Sequence, residues 1–300
     1  MSELVWINGK MLPRDEARVS AFDAAFQHGV GLFETMLATS GRVFRLDRHL
    51  ARLEASARTL GLTERLSTSA LAEAVEHVTK ESGLAEGEGR ARVRLTLTGG
   101  DLNMLAREQR GPSDPTIVIQ VTHATRYPDE MMERGVSCVV ADAKANPLDP
   151  FAAHKTLNYW WRLRELQNAS AKGAGEALVL QVTNHVCGGS VSSIFCVQDG
   201  TLRVPIARGE EVDGGVPSPV LPGVTRDAII EFADAMGVGC ERTMLTVADV
   251  LDADEVFVTN ASWGVLPVVK MEAKAIADGA PGALTKDLRQ KWLDAIRDEA

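Results

Sequence analysis

His154-Lys155-Thr156-Leu157-Asn158-Tyr159-Trp160-Trp161 sets one lysine between a strand-like region and an aromatic-rich helix, expected over residues 156–172 and stopped by Gly173. In a partly apolar pocket a lysine amine loses proton affinity, and its neutral form can condense with a carbonyl to a Schiff base. Only nine of the 32 basic residues are lysines, so one in such a setting stands out. A surface lysine flanking a core aromatic stripe would leave the same letters.

Upstream of this stretch, residues 124–130 carry Arg126-Tyr127-Pro128, show no periodicity and read as a linker before a strand over 136–141. Before the linker, Val5-Trp6-Ile7 and Lys10-Met11-Leu12 flank Asn8-Gly9, a tight hairpin signal. Residues 31–38 and 42–46 form a second hairpin around Ser40-Gly41. Asp47 is expected to cap a helix whose apolar face is Leu50, Leu53, Ala57 and Leu60, ended by Gly61. A helix over 69–82 and strands over 92–98 and 117–121 follow. Downstream lie strands over 178–180 and 193–197, a turn at Gln198-Asp199-Gly200-Thr201, a helix from the Pro222-Gly223 turn to Gly237, a strand over 255–259, and a last helix capped by Thr285. This order predicts an α+β protein. A small N-terminal domain covers residues 1–123, a linker 124–130, and a larger C-terminal domain 131–300 carries Lys155.

With 45% hydrophobic and 24% charged residues the chain can bury a full core. A net charge of −9 argues against nucleic-acid binding, which needs clustered Lys and Arg. Cys138, Cys187, Cys196 and Cys240 have no metal or redox spacing, so no metal site is expected. Neither a secretory signal nor a membrane-length apolar run is visible, and a cytoplasmic protein without membrane partners is expected.

Three further stretches have chemical content. Leu221-Pro222-Gly223-Val224-Thr225-Arg226 opens a helix, with Thr225 as the expected cap, and free N–H groups at a helix start favour an anion. Arg48 and Arg52 are four apart on one helix, and a guanidinium fork suits a phosphate. Thr259-Asn260-Ala261-Ser262 ends a strand in small polar residues. Each alone also fits an ordinary capped helix, a solvated cationic face or a plain loop.

In this order the stretches resemble the class-IV aminotransferases, the fold type IV pyridoxal-phosphate enzymes that include branched-chain aminotransferase, D-amino-acid aminotransferase and 4-amino-4-deoxychorismate lyase. The resemblance runs from Ile7-Asn8-Gly9 through Gly31-Leu32-Phe33-Glu34-Thr35, Arg45 to Leu53, Lys155 to Tyr159, Gly189 to Phe195 and Leu221 to Arg226, ending at Ala253 to Asn260 and Pro267-Val268. It implies a two-domain, D-amino-acid aminotransferase-like fold with the cofactor, pyridoxal 5'-phosphate, between the domains. Lys155 matches the lysine that forms the internal aldimine and moves the substrate proton. Arg52 matches the phosphate-binding arginine, and Val224 and Thr225 match the phosphate-binding helix start. Ala261 and Ser262 complete the phosphate cup, and Tyr159 lies near the cofactor's phenolic oxygen. A homodimer is implied, as are an amino substrate and a keto-acid partner, with Phe33, Thr98 and Gly99 as substrate contacts.

Two departures follow from the same comparison. The family's glutamate on the pyridine nitrogen falls on Gly188, within Val186-Cys187-Gly188-Gly189-Ser190, so that either the ring is a weaker electron sink or a water or a residue from elsewhere takes the glutamate's role. The substrate-gripping arginine of D-amino-acid aminotransferase has no counterpart in Thr98-Gly99-Gly100, leaving the backbone N–H groups of that turn for a carboxylate. An aminotransferase is the leading expectation. The alternatives are a lyase of the 4-amino-4-deoxychorismate type releasing pyruvate, and a repurposed, weakly active homologue.

Overall fold

The computed structural model describes residues 3–87, 89–101 and 115–298. Two compact units divide the chain. The first is Met1–Thr125, His154–Asn158 and Ile296–Ala300, and the second is Arg126–Ala153 and Tyr159–Ala295. The sequence places Lys155 in the later domain. In the structure its short segment belongs to unit 1, because its backbone pairs with a strand there.

Unit 1 is a six-stranded antiparallel sheet of Leu4–Ile7 (β1), Lys10–Pro13 (β2), Gly31–Thr39 (β3), Arg42–Val43 (β4), Arg90–Thr98 (β5) and Ile117–His123 (β6), in the order β2-β1-β6-β5-β3-β4. The β1–β2 turn needs positive φ at two residues, and Asn8 (44°) and Gly9 (91°) provide it. Helices Ala24–His28 (α1), Leu46–Thr59 (α2) and Thr68–Ser82 (α3) complete the unit. Along β5, Val93, Leu95 and Leu97 alternate with Arg92, Arg94 and Thr96, so one face is apolar. That face and Leu32 and Met36 of β3 cluster with Leu50 and Leu53 of α2 and Val75 and Val78 of α3. Each such side chain contributes about 1.5–3 kcal/mol on full burial. Helix α2 begins at Leu46 after Arg45, which is in the left-handed region (φ 52°), and no side chain caps it. Asp47 is therefore not the expected cap. It lies inside the first turn, where the helix dipole still favours a carboxylate.

Unit 2 contains Asp129–Arg134 (α4), Val136–Ala145 (β7), Trp160–Ala171 (α5), Glu176–Gln181 (β8), Val186–Gly189 (β9), Ser193–Gln198 (β10), Thr201–Pro205 (β11), Val224–Ala235 (α6), Cys240–Thr243 (β12), Val247–Leu251 (α7), Glu255–Asn260 (β13), Gly264–Met271 (β14), Lys274–Ala275 (β15) and Ala283–Asp298 (α8), whose last residues fall in unit 1. Its sheet runs β12-β11-β10-β13-β14-β7-β8-β9, with β15 beside β14. Three helix starts differ from the sequence reading. Helix α5 begins at Trp160 rather than residue 156, because Lys155, Thr156 and Leu157 are extended against β3. Gly223, not Thr225, is the residue before the first turn of α6. The start of α8 is capped by Glu255, which accepts from the Leu284 N–H (3.1 Å), the Thr285 N–H (2.8 Å) and the Thr285 hydroxyl (2.6 Å). A carboxylate there satisfies orphan donors and the dipole together, so Thr285 is held by the cap instead of being it.

Candidate active site

Lys155 is fixed by its main chain. The Phe33 N–H donates to the Lys155 carbonyl (2.9 Å), and the Leu157 N–H donates to the Gly31 carbonyl (2.9 Å). Leu32 and Thr156 form an antiparallel bridge, so residues 155–157 complete the edge of β3 that β4 leaves uncovered. The close approach needs Gly31. A Cβ there would lie 2.6 Å from the Leu97 carbonyl and 2.7 Å from Leu157 Cδ1, at a φ of 158°. Next in the chain, His154 Nδ1 is 2.9 Å from the Ser56 hydroxyl of α2. The Lys155 ammonium ends 4.4 Å from the centre of the Phe33 ring.

A buried carboxylate in the same unit organises Arg52. Glu34 of β3 points to the helix side, the parity of Leu32 and Met36. Its two oxygens accept from Arg52 Nε (2.9 Å) and Nη2 (2.6 Å). His49 Nδ1 lies 2.8 Å from Glu34 Oε2. Burial by itself would raise the Glu34 carboxyl. Arg52 and His49 overcome that and hold it at about 2, so it stays ionised. His49 is lowered by burial despite the carboxylate, so its neutral ring carries the proton on Nδ1 and donates it. Arg48, by contrast, is exposed and lies 3.7 Å from Asp47. Of the three arginines on α2, Arg48 and Arg58 are exposed and Arg52 is built in.

The opposite face of the sheet holds Phe33, paired with Thr96, and Arg94, paired with Thr35. The Arg94 guanidinium stacks 3.6 Å from the centre of the Phe33 ring. Thr98 is buried and gives its hydroxyl to Asp23 (2.8 Å), while accepting from the N–H groups of Gly100 and Thr116. The Gly99 N–H donates to the Val30 carbonyl (3.2 Å). Both turn N–H groups are thus used within unit 1, and on this face the Phe33 ring meets both Lys155 and Arg94, the second of which the sequence reading does not single out.

In unit 2, the start of α6 has no side-chain cap, and Val224 and Thr225 are buried in its first turn. Gly223 leaves a cradle, because a Cβ there would lie 2.7 Å from the Ser193 hydroxyl. Ser193 pairs with Thr259 of β13, whose buried hydroxyl has no hydrogen-bond partner among the described residues. The turn after β13 is shaped by Asn260, whose Oδ1 accepts from the N–H groups of Ser262 (2.8 Å) and Trp263 (3.0 Å). Ala261 and Ser262 are half-buried in that turn. Arg226, at 1% exposure, braces the helix from behind. It binds both Glu210 oxygens (3.0 and 2.6 Å) and Asp227 (2.9 Å). Hydroxyls, N–H groups and a glycine cradle are the donor set a phosphate monoester needs, and they fit one here.

Gly188 lies in β9 with a φ of 151°, and a Cβ there would fall 2.9 Å from the Ser192 carbonyl. Glu176, fully buried on β8, grips the same loop through Ser190 N–H (3.1 Å), Val191 N–H (3.3 Å), the Ser192 hydroxyl (2.7 Å) and the Ser190 hydroxyl. The Tyr159 hydroxyl donates to the Ser190 carbonyl (3.4 Å). Among the described residues no cluster of His, Cys, Asp and Glu is placed to hold a metal ion, and no helix is long and apolar enough to cross a membrane.

Residues 31–271 match the family model for amino-transferase class IV. The chain belongs to the class IV aminotransferases. It is accordingly an enzyme of the aminotransferase type, from a family whose members use pyridoxal phosphate. The putative branched-chain-amino-acid aminotransferase of Methanocaldococcus jannaschii is 30% identical over 291 residues, 97% of this chain and 95% of the relative. D-alanine aminotransferase of Bacillus licheniformis is 26% identical over 98% of each chain. The solved branched-chain amino acid aminotransferase of Escherichia coli superimposes at a TM-score of 0.87 with 27% identity, covering 98% of this chain and 94% of that one. This class IV aminotransferase therefore has the fold type IV architecture.

Proposed function

We propose that this class IV aminotransferase moves an amino group from an amino acid to a keto acid with pyridoxal 5'-phosphate held at Lys155. The observation that carries the reading is the main-chain pairing of Lys155 to β3, the strand that also presents Glu34 to Arg52. It supplies what a tethering and proton-moving amine requires, a backbone that does not drift. The cofactor contributes an electron-withdrawing ring conjugated to the reacting carbon.

The chain's own groups then have separate tasks. Lys155 tethers the cofactor through its amine. With the cofactor bound, the Lys155 amine would hold it and would be the group to move a proton at the substrate carbon. Arg52 anchors the phosphate, oriented by Glu34 and His49. The N–H groups of Val224 and Thr225, the Thr225 and Ser262 hydroxyls and the Ala261 N–H surround the remaining phosphate oxygens. Tyr159 would serve the phenolic oxygen, and the Gly188 strand would border the pyridine edge. Arg94, 3.6 Å from the centre of the Phe33 ring, is the group we assign to the substrate carboxylate, because a planar guanidinium fork matches a carboxylate. Thr98 and Gly99 act through the turn they hold. The names of the relatives, branched-chain and D-alanine aminotransferases, make α-amino acids with apolar side chains the first substrates to try. A homodimer belongs to the same reading, and it agrees with the exposed Phe22, Phe26, Leu148 and Trp160.

Borohydride reduction of the reconstituted protein followed by peptide mass mapping tests the tether. A phosphopyridoxyl adduct on Lys155, absent from Lys155→Ala, is expected. An adduct elsewhere, or none, refutes it. Incubation with an amino acid alone should convert the bound cofactor once, to its amine form. Continuous release of pyruvate without a keto acid would instead establish the lyase.

A further inference from the structure

We propose that the Arg162 guanidinium takes the place of the acid missing at Gly188, donates to the pyridine nitrogen of the bound cofactor, and keeps that nitrogen unprotonated. The inference rests on the cofactor reading above, which sets the pyridine edge beside the Gly188 strand.

Three observations carry it. First, the loss at Gly188 is structural. With φ at 151° and the Ser192 carbonyl 2.9 Å from a Cβ, no side chain enters there without moving the backbone. Second, the nearest buried acid has no spare capacity. Glu176 Oε1 takes the N–H groups of Ala177 and Ser190 and the Ser190 hydroxyl, and Oε2 takes the Val191 N–H and the Ser192 hydroxyl. Gly189 stands against it, since a Cβ there would lie 2.7 Å from Oε2. Glu176 shapes the loop and cannot turn to a ring nitrogen. Third, a cation already lies along the strand. Arg162 of α5 directs Nη1 to the carbonyls of Gly189 (3.5 Å) and Ser190 (3.3 Å), and its guanidinium also contacts the Cys187 thiol. It therefore reaches residues on both sides of Gly188.

The placement matches the ring. Tyr159 and Arg162 are three apart on consecutive turns of one face, and both donate to the Ser190 carbonyl. Tyr159 is the residue assigned to the phenolic oxygen, so its neighbour on that face falls toward the adjacent nitrogen edge. Stacking on Trp161, at 4.4 Å, holds the guanidinium in plane. Among the described residues, the Cys187 thiol and the Tyr159 phenol are titratable groups that face Arg162. Burial pushes the thiol up, so it brings no negative charge. Two long bonds to carbonyls leave donors for one more acceptor. An arginine donates and never accepts, so the nitrogen it faces must offer its lone pair. A protonated nitrogen would meet a fixed positive charge. The enzyme then works with a weaker electron sink.

The test is nitrogen-15 NMR of the enzyme reconstituted with pyridoxal phosphate labelled at the ring nitrogen. The wild-type resonance should stay at the unprotonated position from mildly acid to mildly alkaline pH. In Arg162→Met, with unchanged cofactor stoichiometry and melting temperature, it should move toward the pyridinium position as pH falls. A pyridinium resonance in the wild type overturns the proposal without any variant, and so does a pH response that Arg162→Met leaves unchanged. Wild-type protein that takes up no cofactor at Lys155 overturns the function reading as well, whereas a protonated nitrogen on loaded protein overturns this inference alone.

Discussion

Glu34→Gln is the substitution with the most to say about Arg52. Gln keeps the shape of the side chain and removes the charge. The carboxyl is held at about 2 against an ordinary 4.5, after burial, which pushes the other way, has been overcome by Arg52 and His49. At about 1.36 kcal/mol per tenfold change in proton affinity, that difference is about 3 kcal/mol in favour of the folded state. The figure agrees with the roughly 3–5 kcal/mol lost when one member of a buried pair is removed. Because the folded-state value is the lower one, the contribution is complete above 4.5 and is lost as pH falls through about 2. Urea unfolding of the two proteins should therefore differ by about 3 kcal/mol near neutrality, with the gap shrinking to less than half by about pH 3. The released Arg52 should also weaken cofactor binding roughly tenfold, about 1.4 kcal/mol, in an absorbance titration. A variant within about 0.5 kcal/mol of wild type near neutrality, the spread of ordinary surface changes, would refute the reasoning. So would a gap that grows as the pH falls.

Arg94→Ala should raise KM for the amino acid roughly tenfold, about 1.4 kcal/mol, with cofactor affinity unchanged, measured by steady-state kinetics beside a cofactor titration. Gly189→Ala pushes a methyl group against Glu176 and should cost about 1–3 kcal/mol by urea unfolding. Light scattering should find a dimer, and Phe26→Ser with Trp160→Ser should shift it toward monomer, since both side chains are more than two-thirds exposed in the single chain.

Much of the strand and helix pattern was legible because local rules held. Asn8-Gly9 makes its hairpin, and the alternation over β5 faces the core as its letters say. The failures share a cause. Thr156 and Leu157 read as helix because of the aromatic run after them, but a strand distant in sequence claims their backbone. Asp47 and Thr285 read as caps by type, whereas Arg45 precedes one helix and Glu255 caps the other from another strand. Arg52, Lys155 and the α6 start stood out as cations and a turn. Glu34 left a usable signal, an acid at the core-facing parity of β3 between Leu32 and Met36, which must be paired to be tolerated. Glu176 and Arg162 left none, because a strand start and a helix surface are ordinary places for charges.

Strand β3 explains why the candidate site tolerates so little slippage. Side chains alternate across a strand, so consecutive residues Phe33 and Glu34 must face opposite sides of the sheet. One side receives Arg94 and the Lys155 ammonium, and the other receives Arg52 and His49. The edge of the same residues pairs with the Lys155 backbone. A register shift of one residue would exchange the faces, burying Phe33 against the helices and leaving Arg52 without its carboxylate. The register is secured by nine consecutive pairs with β5, from Gly31 with Thr98 to Thr39 with Arg90, and by the burial of Leu32 and Met36. The positions of Lys155 and Arg52 are therefore set by one decision, the pairing of β3, and the core that fixes this pairing also fixes both side chains.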